Sequence, residues 1–214
     1  MLGVVGYIAL GIGATLLITA SAFTIGGILA IPLALAQRSR FAILRLLVRG
    51  VVNLVRAVPP LVWLFLVFFG FAELGLRMSP LMAAIATFSF IAMSYFAEIY
   101  RAGLAALSRG QEEASAALGL STVDSYRFIV VPQVFRVVGP MMASYGIGLL
   151  KDSALASTIG VVELTFRAAS QAQQTGQGLT IFAIVGIIYL LLSLPLAIVS
   201  RQVDSRLRAR FSVA

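Results

Sequence analysis

The chain has no cysteine and no histidine among its 214 residues, a single tryptophan and a single lysine, and only eight acidic side chains. Without cysteine there is no disulfide and no thiol nucleophile. Without histidine there is no imidazole base, and His/Cys metal sites are excluded with both. Charge is scarce at 11% of residues, whereas 60% are hydrophobic and the mean hydropathy is +1.02. That balance excludes an ordinary soluble domain. The length leaves room for about five spanning helices of about 20 residues each. No phosphate-cradling G-x-x-x-x-G-K-[ST] loop is present, because the lone Lys151 stands between Leu150 and Asp152. No internal repeat, linker or second domain is visible, so residues 1–214 read as one transmembrane domain.

What charge there is carries direction. The net charge of +8 could suggest nucleic acid, but the arginines are dispersed at the ends of apolar segments, which argues for membrane orientation instead. The first apolar segment, about Tyr7 to Ala36, is long enough to span with tilt and too long for a signal-peptide core, so it reads as a retained helix. Its glycines, threonines and serines suit helix packing better than a pore lining. Arg45, Arg49, Asn53 and Arg56 form one stripe on an amphipathic helix over Phe41–Arg56, expected to lie at the interface as an anchor or, alternatively, to sense lipid. Leu61–Phe71 completes a second span, Leu81–Ile99 makes a third that ends at a Glu98–Arg101 pair, Val134–Leu150 a short fourth interrupted by prolines and glycines, and Leu179–Val199 a fifth. Arg77, Lys151 and Arg167 fall on one side and the other thirteen basic residues on the opposite side. This predicts an N-terminus outside and a C-terminus in the cytoplasm.

Between the third and fourth spans lies a polar stretch, residues 108–127. Ser108 and Gln111 have capping-box spacing, and Glu112 and Glu113 fall in a first turn, where negative charge is favoured. Ala114 to Leu118 continue a helix of little side-chain bulk, which Gly119 can end in a left-handed conformation. Ser121 and Asp124 open a second helix running toward Pro132. The expectation is helix, turn, helix outside the bilayer, with a small-residue face suited to docking into a groove on another protein.

Glu113-Ala114-Ser115, Gly119, Ile129 and Val131-Pro132 are spaced as in the EAA loop of ABC-importer permeases, which this stretch resembles. Ser115 and Val131 depart from the usual residues. Flanking runs, Ala97–Gly103, Gly110-Gln111, Lys151–Leu155 and Gly160–Thr165, are similar to the polar amino-acid branch, and the likeness covers roughly residues 10 to 200. It implies an all-α, type I importer permease with a cytoplasmic coupling-helix hairpin, multi-pass in a prokaryotic inner membrane. Gln111, Glu112, Glu113, Ala114, Ala117, Gly119 and Leu120 would dock a separate ABC ATPase subunit that binds the ATP and Mg. The chain itself would bind no cofactor and catalyse no reaction. Further partners implied are an extracytoplasmic solute-binding protein and a second permease subunit, identical or paralogous, besides membrane lipid.

For the solute, the irregular region from Ser144 to Thr165 is the expected cavity wall, since broken backbone at membrane depth needs water or protein around it. Glu163 is the candidate for a cationic solute group, or else a helix-end charge or a partner of Lys151 or Arg167. Lys151 is a further pathway candidate, though a mutual pair with Asp152 is the stronger expectation for it. Ser144, Met93 and Trp63 stand where relatives often carry amides, so a bulkier or more apolar amino-acid-like ligand is an open alternative. An ion-gradient-driven carrier and a membrane scaffold subunit remain rival readings.

Overall fold

A computed structural model describes residues 2–107, 110, 115 and 117–209, with side chains for 3–107, 110, 115 and 117–198, and every regular element among them is a helix. The first apolar run folds as α1 (Leu2–Ala9) and α2 (Ile12–Ala36), joined through Leu10 and Gly11. The join is where the chain crosses other backbone. A β-carbon on Gly11 would lie 2.5 Å from the Leu164 nitrogen, so only glycine fits. α2 is apolar all round, as suits a helix between protein and lipid.

The amphipathic stretch forms α3 (Ala42–Ala57) and ends before Pro59-Pro60, where backbone donors are missing. The chain turns through 99° into α4 (Pro60–Glu73), which contains a π turn at Leu66–Gly70. Trp63 holds this corner: its indole Nε1 donates to the Val55 carbonyl at 3.0 Å and its ring meets Phe90 edge-on. Across α3, Ile43, Leu46 and Leu47 are exposed, while Arg45 and Arg49 reach back to the Ser39 and Gln37 carbonyls.

α5 (Pro80–Ala105) begins with Ser79 as its cap, accepting from the Met82 N–H, and Pro80 in the first turn. It lies along α2, and the two make the centre of the molecule. Their approach is set by small residues: a β-carbon on Gly26 would come within 2.6 Å of the Ala92 β-carbon and 2.9 Å of the Met93 nitrogen. Around this pair the core divides into three clusters. Ile18, Leu64, Phe88 and Leu149 form one, Val52, Phe96 and Val138 a second, and Ile8, Leu164, Ile181 and Val185 a third.

α6 is a continuous helix from Thr122 to Ile159 with a π turn at Tyr126–Val130 and a 3-10 end at Ser153–Ile159. It corrects the short fourth span expected at Val134–Leu150. Pro132 falls just after the π turn, where the wider winding spares the bond that proline cannot make, and Pro140 is carried inside the helix. α7 (Leu164–Thr175) ends at Gly176 with φ +68°, and α8 (Gly178–Ala209) is the last. α8 shows Leu190 and Leu191 outward, an apolar face suited to lipid.

Among the described residues, four helical segments are long and apolar enough to cross a membrane: Gly3–Ala36, Pro80–Ala105, Thr122–Ile159 and Gly178–Ile198. The bent α3–α4 pair makes a fifth if counted as one broken span. The about five spans read from the sequence therefore hold, with the second one broken at its prolines.

Candidate functional site

The polar turn is built by local chemistry. Residues 110, 115 and 117 are helical, and the Leu120 N–H closes back on the Ser115 carbonyl at 3.1 Å around Gly119 at φ +71°. This is the six-to-one bond of a Schellman stop, with glycine in the position that disfavours a β-carbon. Ser121 then caps α6: its Oγ accepts from the Asp124 N–H at 3.1 Å and donates to Asp124 Oδ2 at 2.6 Å. Both helix ends are thus satisfied within about ten residues, so the turn has a defined shape at the tip. Ala117 is exposed, Leu118 is 77% exposed and Val123 73% exposed, leaving apolar side chains outward at a polar loop. Gln111, Glu112, Glu113 and Ala114 lie outside the described residues.

The five pathway candidates do not share one wall. Glu163 is fully buried as the cap of α7. Its Oε1 accepts from the Phe166 N–H at 2.7 Å, and its Oε2 accepts from the Tyr189 hydroxyl at 2.9 Å and from Thr15 at 3.5 Å. Burial pushes its carboxyl above the usual range, while these donors pull the other way. Its surroundings are those of a helix-end clasp joining α2, α7 and α8. Trp63 belongs to the α3–α4 corner described above. Met93 is partly buried on α5 behind Gly26, and Ser144 and Lys151 are exposed on α6.

A different group comes together where α3, α5 and α6 meet. The Arg56 guanidinium carbon sits 5.2 Å from the Tyr95 ring centroid, and Tyr95 stacks on Tyr145 at 4.9 Å. Tyr145 in turn meets Phe96 edge-on at 5.1 Å. The Arg56 Nε is buried without a hydrogen-bond partner among the described residues. A guanidinium backed by two phenol rings is chemistry for a carboxylate or another planar polar group. Sequence reading placed Arg56 in the interfacial stripe and missed Tyr95 and Tyr145. Their only common signal was position, one at the third span's polar end and one in the segment expected to be irregular.

An all-helical bundle with four to five segments long and apolar enough to cross a membrane, and a polar capped turn carried between two of them, defines a multi-pass membrane protein. Residues 22–209 match the binding-protein-dependent transport system inner membrane component family, and the chain belongs to that family. Among its relatives is the probable amino-acid ABC transporter permease protein YckA of Bacillus subtilis (strain 168), 35% identical over 183 residues, 86% of this chain and 81% of YckA. The glutamate/aspartate import permease protein GltK of Escherichia coli O6:H1 is 32% identical over 196 residues, 88% of each chain. The crystal structure of an amino acid ABC transporter with histidines superposes with a TM-score of 0.86 at 28% identity, covering 94% of both chains. The inward-facing MetNI methionine ABC transporter shares the fold, with a TM-score of 0.77 at 20% identity and 94% of this chain covered.

Proposed function

We propose that this chain is the membrane-spanning subunit of an ATP-driven importer for an amino acid or a related polar solute. The solute arrives on an extracytoplasmic binding protein, crosses between two permease subunits, and leaves to the cytoplasm. The observation that carries this reading is the turn at Gly119, a locally fixed, apolar-tipped projection between two spans in a chain whose relatives include permeases named for amino-acid import. The ATP and Mg belong to a partner ATPase, which docks on the turn through Gln111, Glu112, Glu113, Ala114, Ala117, Gly119 and Leu120. The turn and the C-terminus face the cytoplasm and the N-terminus faces outward, following the thirteen-to-three division of basic residues.

Arg56 with Tyr95 and Tyr145 is the arrangement best suited to a solute carboxylate, the group all amino acids share. Glu163 serves as a positioning group for α7, and through it shapes the path. The test is co-purification of the chain from its native membrane followed by uptake in reconstituted vesicles. The reading expects an ABC-type ATPase in the complex and amino-acid uptake that requires ATP on the ATPase side. ATP-independent uptake driven by an ion gradient, or a complex with no ATPase and no transport, would overturn it.

A further inference from the structure

Gln37 ends the first span, and its side chain is 0% exposed. Both its Nε2 and its Oε1 are buried without a hydrogen-bond partner among the described residues. Buried side-chain amides are almost always paired, so an unpaired one at the edge of a cavity marks a place where something else supplies the partner. That cavity, about 210 Å³, is also lined by Arg49, Asn53, Glu98 and Arg101. A second cavity of about 320 Å³ shares Arg49 and Arg101 with it and adds Arg38.

Among the described residues, Arg49 and Arg101 thus border the first space against the Glu98 carboxylate. That carboxylate is already engaged, since Arg101 grips both oxygens of Glu98, with Nε at 3.0 Å from Oε2. Arg49 spends one nitrogen on the Gln37 carbonyl at a long 3.4 Å. Arg49 therefore has donors to spare beside a buried amide. The site's depth is fixed as well. The spans Gly3–Ala36 and Pro80–Ala105 both end beside it, which sets it where hydrocarbon gives way to water. α3 runs alongside with Ile43, Leu46 and Leu47 exposed, the habit of a helix lying in that interface.

We propose that Gln37, Arg49 and Arg101 bind a phosphate group at the membrane surface, carried either by a phospholipid headgroup or by a soluble phosphate. The Gln37 amide donates to one phosphate oxygen and the guanidiniums neutralise and fork the others, with Asn53 within the same wall. The proposal does not depend on what the chain transports.

Thermal unfolding of the full chain in its purified complex tests it, with three additives in detergent. Dioleoylphosphatidylglycerol should raise the unfolding midpoint, and dioleoylglycerol, the same lipid without its phosphate, should leave it unchanged. Glycerol phosphate matching the phospholipid's effect at equal concentration assigns the site to a soluble phosphate, and its failure to do so assigns it to the headgroup. Gln37→Leu should weaken the phosphate effect about tenfold, as expected for losing one charge-assisted hydrogen bond. Gln37→Glu, similar in size but anionic, should abolish it. An equal shift from dioleoylglycerol overturns the proposal, as does wild-type response in whichever Gln37 variant folds.

Discussion

The Tyr189 hydroxyl, in the first half of the last helix, donates to the Glu163 carboxylate at 2.9 Å and shares a 3.2 Å contact with Thr165. Glu163 at the same time caps the helix that begins beside it, and Thr15 reaches it from α2. Three parts of the chain distant in sequence are fastened at one carboxyl group.

That group should give the folded protein a pH signature. Burial raises its native pKa, so the folded state holds the proton more tightly than the unfolded chain. Its contribution to stability is then fully present below the unfolded value near about 4.3 and falls as pH rises through the elevated native value. Glu163→Gln keeps an acceptor for the Phe166 N–H and has no proton to lose. Its unfolding midpoint in detergent should be flatter with pH above the unfolded value than that of the wild type. Tyr189→Phe removes a donor and should move the wild-type decline to higher pH.

Gly119 predicts a separation of folding from coupling. A β-carbon there would meet nothing within 4 Å, so substitution acts through the backbone at φ +71° alone. Gly119→Val should distort the turn at a cost of about 1–2 kcal/mol, with membrane insertion retained. Gly119→Asn, a residue that tolerates this region, should be milder. ATPase activity measured alongside uptake should show the valine variant uncoupled and the asparagine variant close to wild type. Normal uptake by Gly119→Val would count against docking at the turn.

Gly26 and Gly13 lie on the same helix and should respond oppositely to alanine. At Gly26 the added carbon meets Ala92 and the α5 backbone, which must separate, with an expected loss of about 1–3 kcal/mol. At Gly13 it meets nothing within 4 Å, and alanine there should be neutral or slightly stabilising. Unfolding midpoints of the two variants in one detergent decide the matter.

Trp63→Phe keeps an aromatic ring against Phe90 and deletes the donor to the Val55 carbonyl. The corner should lose about 1 kcal/mol, visible as faster proteolysis near Val58–Pro60 than in the wild type.

The legible parts of this chain were those decided within a few residues. Gly119 could be assigned a left-handed stop and Ser121 a cap because the bonds that fix them, Leu120 to Ser115 and Asp124 to Ser121, span only five and three positions. The Glu98–Arg101 pair followed from helical spacing in the same way. Glu163 was singled out as an acid in apolar surroundings, yet its partners come from positions 15, 166 and 189, and no local rule could name the first or last. Arg56, Tyr95 and Tyr145 were invisible as a group, being distributed over three helices whose packing only tertiary structure fixes. Prolines argue in sequence for a short fourth span, whereas a π turn ahead of Pro132 lets the helix continue.

That continuity has a mechanical side. From Thr122 to Ile159 the chain is one rod of about 57 Å at 1.5 Å per residue. One end is the capped turn, and the other is the 3-10 segment whose Ala156 and Ile159 seat in the central core. A displacement imposed at Ser121 has no flexible loop in which to dissipate before it reaches Ser153. The π turn and Pro140 are the points where such a rod would bend, dividing it into a short arm near the turn, a middle section beside α5, and a far section that carries Tyr145. Work done on the turn would therefore be delivered along the helix to Tyr145, which stacks on the Tyr95 ring that the Arg56 guanidinium covers.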